Sequence, residues 1–158
     1  MLLVVGRKIE LSNVGDYEKA NFLVHSSAIV GGQQNLLRTQ FGFIGGGKLN
    51  SIYEGSLSNK ALYNSILGGL SNVITGDTQG SVILGGKFNR LQGRNAIAGG
   101  QYSSGVGEFS LALGSYSASA HDGAMVLSDS LVPSAENGTI EKRSIVGYCV
   151  GNCLVHYT

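Results

Sequence analysis

The sequence predicts an all-β chain wound as a parallel solenoid of about seven coils, 14–15 residues each, and three observations predict it. A short phrase recurs: an apolar triplet, two glycines, two variable residues, an asparagine, then an apolar residue. Glycine is abundant, 25 of 158 residues, while proline occurs once, as Pro133. The hydrophobic residues, 42% of the chain, are mostly small, β-branched or aliphatic, and tryptophan is absent. A fixed short period is the signature of stacked repeats. Glycine without proline argues for tight turns rather than collagen or a disordered linker. Glycine and β-branched residues at this frequency exclude helix.

The copies read AIVGGQQNLL at 28–37, FIGGGKLNSI at 43–52, SILGGLSNVI at 65–74 and VILGGKFNRL at 82–91. Worn copies follow as AIAGGQYSSG at 96–105, LALGSYSASA at 111–120 and MVLSDS at 125–130. Indexed on the first glycine of each pair or its equivalent, they sit at Gly31, Gly46, Gly68, Gly85, Gly99, Gly114 and Ser128. Insertions lengthen two coils, around Tyr53–Tyr63 and around Thr75–Gly80.

Each unit reads as strand, glycine bend, strand, turn. Two residues before the index lie Ile29, Ile44, Ile66, Ile83, Ile97, Ala112 and Val126; six after it lie Leu37, Ile52, Ile74, Leu91, Gly105 and Ala120. Stacked in parallel at about 4.8 Å per coil, each set becomes one wall of a thin core. Asn35, Asn50, Asn72 and Asn89 stack at the bend, where an amide bonds up and down the column and asparagine tolerates a left-handed turn. The residue beside the glycine is also apolar: Val30, Leu67, Leu84, Ala98, Leu113 and Leu127. Neighbours in a strand point to opposite faces, so the second face of this strand is apolar too. One narrow coil cannot cover it, and self-association about a symmetry axis is the simplest cover.

The worn coils NAIAGGQYSSG and SLALGSYSASA resemble the head repeats of trimeric autotransporter adhesins. SASAHDGAMVLSDS at 117–130 is similar to the closing coil of β-roll segments in phage and viral tail-fibre proteins. The resemblance covers about 27–130. It implies a left-handed β-roll, an intertwined homotrimer, and a structural or attachment role in a virion or extracellular appendage, beside other appendage proteins and in contact with host surface polysaccharide. A bacterial cell-surface adhesin head is the alternative. The first four coils carry larger aliphatics than adhesin heads do, and neither heptads nor a spanning segment follows. Residues 1–26 are expected to be a docking segment or a degenerate coil, and 131–158 a non-repeat cap or joining segment with strand-like runs such as SIVGYCV.

Several functions are disfavoured. Charged residues are 13% and the net charge is +1, without the basic stripe that nucleic acid requires. No apolar run spans a bilayer, so no membrane insertion is expected, and MLLVVGRKIE is not a signal-peptide core. Cys149 and Cys153 make neither a disulfide framework nor, with three histidines, a zinc quartet. Asp does not recur as calcium-binding rolls require. Hexapeptide acyltransferases are solenoids also, but their six-residue subunits do not divide a 14–15 period. His25, His121 and His156 find no matched nucleophile, and turn chemistry explains His121 beside Asp122. No enzyme activity, cofactor or metal is expected. Candidate binding residues are Lys87, Phe88, Tyr102 and Tyr116, of which the three aromatics align along one edge, and Tyr53 and Tyr63, which flank the longer insertion.

Overall fold

A computed structural model of the chain describes residues 10–11, 26–53, 62–129 and 145–148. Among them there is no helix. Two sheets face each other across the stack. The first contains β2 (Ala28–Ile29), β4 (Phe43–Ile44), β6 (Ser65–Ile66), β8 (Val82–Lys87), β10 (Ile97–Gln101), β12 (Leu111–Ser115), β14 (Met125–Asp129) and β15 (Ile145–Tyr148). The second contains β1 (Glu10–Leu11), β3 (Leu36–Arg38), β5 (Ser51–Tyr53), β7 (Val73–Thr75), β9 (Arg90–Leu91), β11 (Ser104–Gly105) and β13 (Ala118–Ser119). Successive strands alternate between the sheets from β2 to β14, so the chain is a parallel β-solenoid of about six turns.

The registers show why the phrase repeats. Ile29 pairs with Ile44, Ile44 with Ile66 and Ile66 with Ile83, all fully buried. Across the core, Leu37, Ile52, Ile74 and Leu91 form the facing column, also fully buried. Each of the first four coils therefore contributes two large aliphatic side chains to a core two residues thick. Burying each stabilises by about 1.5–3 kcal/mol.

At two positions the alignment differs from the sequence expectation. Ala98, not Ile97, follows Ile83 in the buried column, and Ile97 is exposed. Ser119, not Ala120, follows Gly105 in the facing column. Both differences have one cause. A β-bulge sets Ala98–Gly100 against Ile83–Gly86, so Gly100, not Gly99, is equivalent to Gly86 and Gly114. Later coils close with one residue fewer, and the core tapers from Ile to Ala as they do.

Asparagine ladders the inner side of the first bend. Asn72 Nδ2 donates to Asn50 Oδ1 (3.0 Å), Gly68 O (3.0 Å) and Gly86 O (3.1 Å). Its Oδ1 accepts from Asn89 N (3.1 Å) and Asn89 Nδ2 (3.0 Å). Asn35, Asn50 and Asn89 occupy equivalent places, and Ser103 and Ser117 continue the column with hydroxyls. The opposite bend carries a second polar column of Ser27, Asn64, Ser81 and Ser110, all buried. Ser81 N donates to Asn64 Oδ1, and Ala96 N to Ser81 Oγ. Among the described residues no buried side-chain polar atom lacks a partner. Asn72→Ala strands several buried groups at once, so urea unfolding should show a loss of about 3–5 kcal/mol. Asn72→Ser, copying coil five, should lose less than half of that.

The stack ends differently from how it runs. β15 pairs antiparallel with β14, Met125 opposite Tyr148 and Ser128 opposite Ile145. An antiparallel partner satisfies the open edge without continuing the coil pattern. Of the strand-like run SIVGYCV, Ile145–Tyr148 is thus placed at the last coil. At the other end β1 pairs with β3, Glu10 opposite Leu36. Cys149, Cys153, His25 and His156, with most of 1–26 and 131–158, lie outside the described residues.

Candidate binding surfaces

Eleven non-glycine residues have positive φ, between 51° and 59°. For bulky side chains this is uncommon and costs about 1–2 kcal/mol each. All eleven fall in two columns, one along each bend. The first bend presents Gln34, Leu49, Ser71, Phe88, Tyr102 and Tyr116; the second presents Ser26, Phe41, Tyr63, Asn95 and Phe109. In each coil the N–H of such a residue donates to the coil before it: Leu49 to Gln33 O, Ser71 to Lys48 O, Phe88 to Leu70 O, Tyr102 to Lys87 O and Tyr116 to Gln101 O, at 2.8–3.0 Å. The left-handed conformation is what lets the corner join the ladder, and it turns the side chain outward.

Outward side chains one coil apart stack if they are flat. Phe88 and Tyr102 have ring centroids 4.9 Å apart with planes inclined 12°; Tyr102 and Tyr116 are 5.0 Å apart at 18°. Phe41 and Tyr63 stack at 4.9 Å on the opposite bend. The expected alignment of Phe88, Tyr102 and Tyr116 is therefore observed as one stack. Lys87 is the exposed residue next to Phe88 in the chain. Tyr63 stands on the other bend, 58% exposed, and Tyr53 points from the second sheet, paired with Arg38 and Thr75. The six candidates thus do not form one site: four gather on the first bend and two lie elsewhere.

Stacking also decides which ring faces are free. Tyr102 is covered on both faces by its neighbours, so its exposure is at the rim and hydroxyl. Phe88 is covered on one face only; its other face turns toward the coil of Ser71.

The other conspicuous surface is the outer face of the first sheet. Val30, Leu67, Leu84 and Leu127 lie in one column, between 40% and 52% exposed. Ile97 and Met125 lie in the column on the other side of the buried row, with Phe43, Val82 and Leu111 half-buried beside them. No charged residue occupies either column between Ala28 and Leu127. The second sheet is different: Arg38, Tyr53, Arg90 and Gln92 are among its outward residues. One face is an uncharged, largely apolar plane, broken by Ser65, Gly45 and Gly99, and its opposite is mixed polar. Sequence reasoning found the first column except at Ala98, which is buried in the core while Gly99 takes the outward place beside Leu113, and it missed the second, since Phe43, Ser65, Val82, Ile97 and Leu111 share no motif letter.

At the closing turn, Asp122 Oδ1 accepts from Glu108 N at 2.7 Å, which gives that carboxylate a structural part. Among the described residues no group of three or more His, Cys, Asp or Glu could hold a metal ion. No described helix is long and apolar enough to cross a membrane.

A regular polar-cornered coil, an apolar plane along one side and a stacked aromatic edge define a β-solenoid repeat protein. No protein-family model, curated protein or solved structure matches the chain.

Proposed function

We propose that the protein is a non-enzymatic structural and attachment protein, the subunit of a homotrimeric fibre or appendage of a virion. The observation that carries this reading is the uncharged apolar plane of the first sheet. Exposed apolar patches on monomers are typically limited to a few hundred Å². This plane runs the length of seven parallel strands, about 29 Å at the spacing of stacked strands, and two side-chain columns wide. Three copies with their first sheets turned to a common axis, all strands in one direction, cover that plane with surfaces of the same pitch. The second sheet and both bends then remain outside. The similarity of SASAHDGAMVLSDS to the closing coils of tail-fibre β-rolls supports three copies and the virion setting.

The reading predicts where the protein is found. Antibody to the purified chain, visualised by immunogold electron microscopy, should decorate the appendages of purified particles. Gold on the surface of intact bacterial cells would favour an adhesin head instead. Gold confined to the soluble fraction of lysed cells would overturn both.

A further inference from the structure

The first-bend column is a ladder of outward side chains in which one rung is short. Phe88, Tyr102 and Tyr116 fill three successive coils with rings; Leu49 stands two coils before Phe88; between them is Ser71. Ser71 has the same backbone as Phe88, with φ 53° against 59° and the same N–H bond to the preceding coil. Its side chain simply does not reach out. A notch results, floored by Ser71 and walled by Leu49 on one side and the free face of Phe88 on the other. Two coil steps separate its walls, about 10 Å at strand spacing. That admits one six-membered ring at the stacking distance this ladder already uses, near 5 Å to each side.

The neighbouring column supplies charge. Gln33, Lys48, Leu70 and Lys87 are bridged in parallel along the stack, so Lys48 and Lys87 bracket the Ser71 coil on both sides. Both are exposed, and neither forms an ion pair with a described residue. An aromatic face, an aliphatic wall and two ammonium groups suit a flat-faced ring bearing an anion. On the opposite bend the comparable notch beside Tyr63 is occupied by the chain itself, because Asn95 Oδ1 leans over Gly80.

We infer that the Ser71 notch is a subsite for one acidic pyranose of a polysaccharide, its ring stacked on Phe88 and its carboxylate or sulfate held by Lys48 and Lys87. This rests on the attachment reading and supplies that reading with a ligand class. Tyr102 then acts as the backing of Phe88 rather than as a stacking face.

The test uses the full chain on an array of uronate-, sulfate- and sialate-bearing pyranose oligosaccharides beside their neutral counterparts. Retention of acidic members over neutral ones is expected. Ser71→Tyr should abolish it, by at least about tenfold, because it completes the ring ladder from within. That variant adopts a conformation which Phe88 and Tyr102 already hold, so its melting temperature should rise or stay level. Lys48→Gln with Lys87→Gln should also weaken retention about tenfold and flatten its dependence on salt. Equal retention of acidic and neutral sugars, no retention of any acidic member, or an unaffected Ser71→Tyr would each overturn the subsite. Sedimentation of the same samples keeps the two readings apart. A trimer that retains no acidic sugar removes the subsite alone; a monomer removes the fibre.

Discussion

If the first sheet's outer face is the proposed subunit interface, replacing Leu67 and Leu84 together with lysine is expected to turn the oligomer into a folded monomer. The two residues lie in one column of the first sheet's outer face, 52% and 49% exposed. In a single chain lysine at these places is harmless, since the stems lie on apolar neighbours and the ammonium groups reach water. In an assembly with the face turned inward, each subunit would bury two unpaired charges. Each uncompensated burial costs several kcal/mol, and the cost recurs in every subunit. Light scattering coupled to gel filtration should therefore show the mass falling to that of one chain, 16.4 kDa, with the β circular-dichroism spectrum unchanged. Substitution of Arg90 and Gln92 on the second sheet by alanine should leave the mass as it was. An unchanged mass in the lysine variant would place the interface elsewhere.

The second large effect lies in the bend. Gly69 has φ +107°, and a Cβ there would sit on the carbonyl oxygen of Gly86 and 2.7 Å from Asn72 Nδ2. Neither neighbour can retreat, because Gly86 O accepts from Leu70 N and Asn72 Nδ2. Gly69→Ala should therefore force coils three and four apart, at a cost of about 3–5 kcal/mol. Gly76 provides the comparison. Its φ is +100°, nearly the same, yet nothing lies within 4 Å of a Cβ placed there. Gly76→Ala should cost only the backbone strain, about 1–2 kcal/mol. Chemical denaturation of the two variants separates strain from collision. Equal losses would mean that coil contact is not what requires glycine at the bend.

Much of this was legible in the chain because a parallel stack turns sequence periodicity directly into spatial neighbourhood. The Ile29–Ile44–Ile66–Ile83 column, the Asn35–Asn50–Asn72–Asn89 ladder and the Phe88–Tyr102–Tyr116 alignment each follow from a recurring place in the repeated phrase, and each is present. Spacing fails where two registers are chemically equivalent. Gly99 and Gly100 both fit the phrase, and only the bulge between β8 and β10 decides that Gly100 is the bend glycine and Ala98 the core residue. The second polar column was missed because Gly42 and Ala96 hold the same place in the coils between Ser27, Asn64, Ser81 and Ser110, so no single letter recurs there. The notch at Ser71 was equally invisible. A serine in a repeat looks like an unremarkable variable residue until the rings on the following coils are seen to stack. The direction of β15 could not be read either, since SIVGYCV has no partner in sequence that fixes parallel or antiparallel pairing.

The central claim is that the apolar plane of the first sheet is a subunit interface, and its most direct test is the mass of the wild-type chain in solution. Sedimentation equilibrium at micromolar concentration should give roughly 49 kDa, three copies of a 16.4-kDa chain, independent of loading concentration over a tenfold range. A folded species of 16.4 kDa under those conditions would contradict the account.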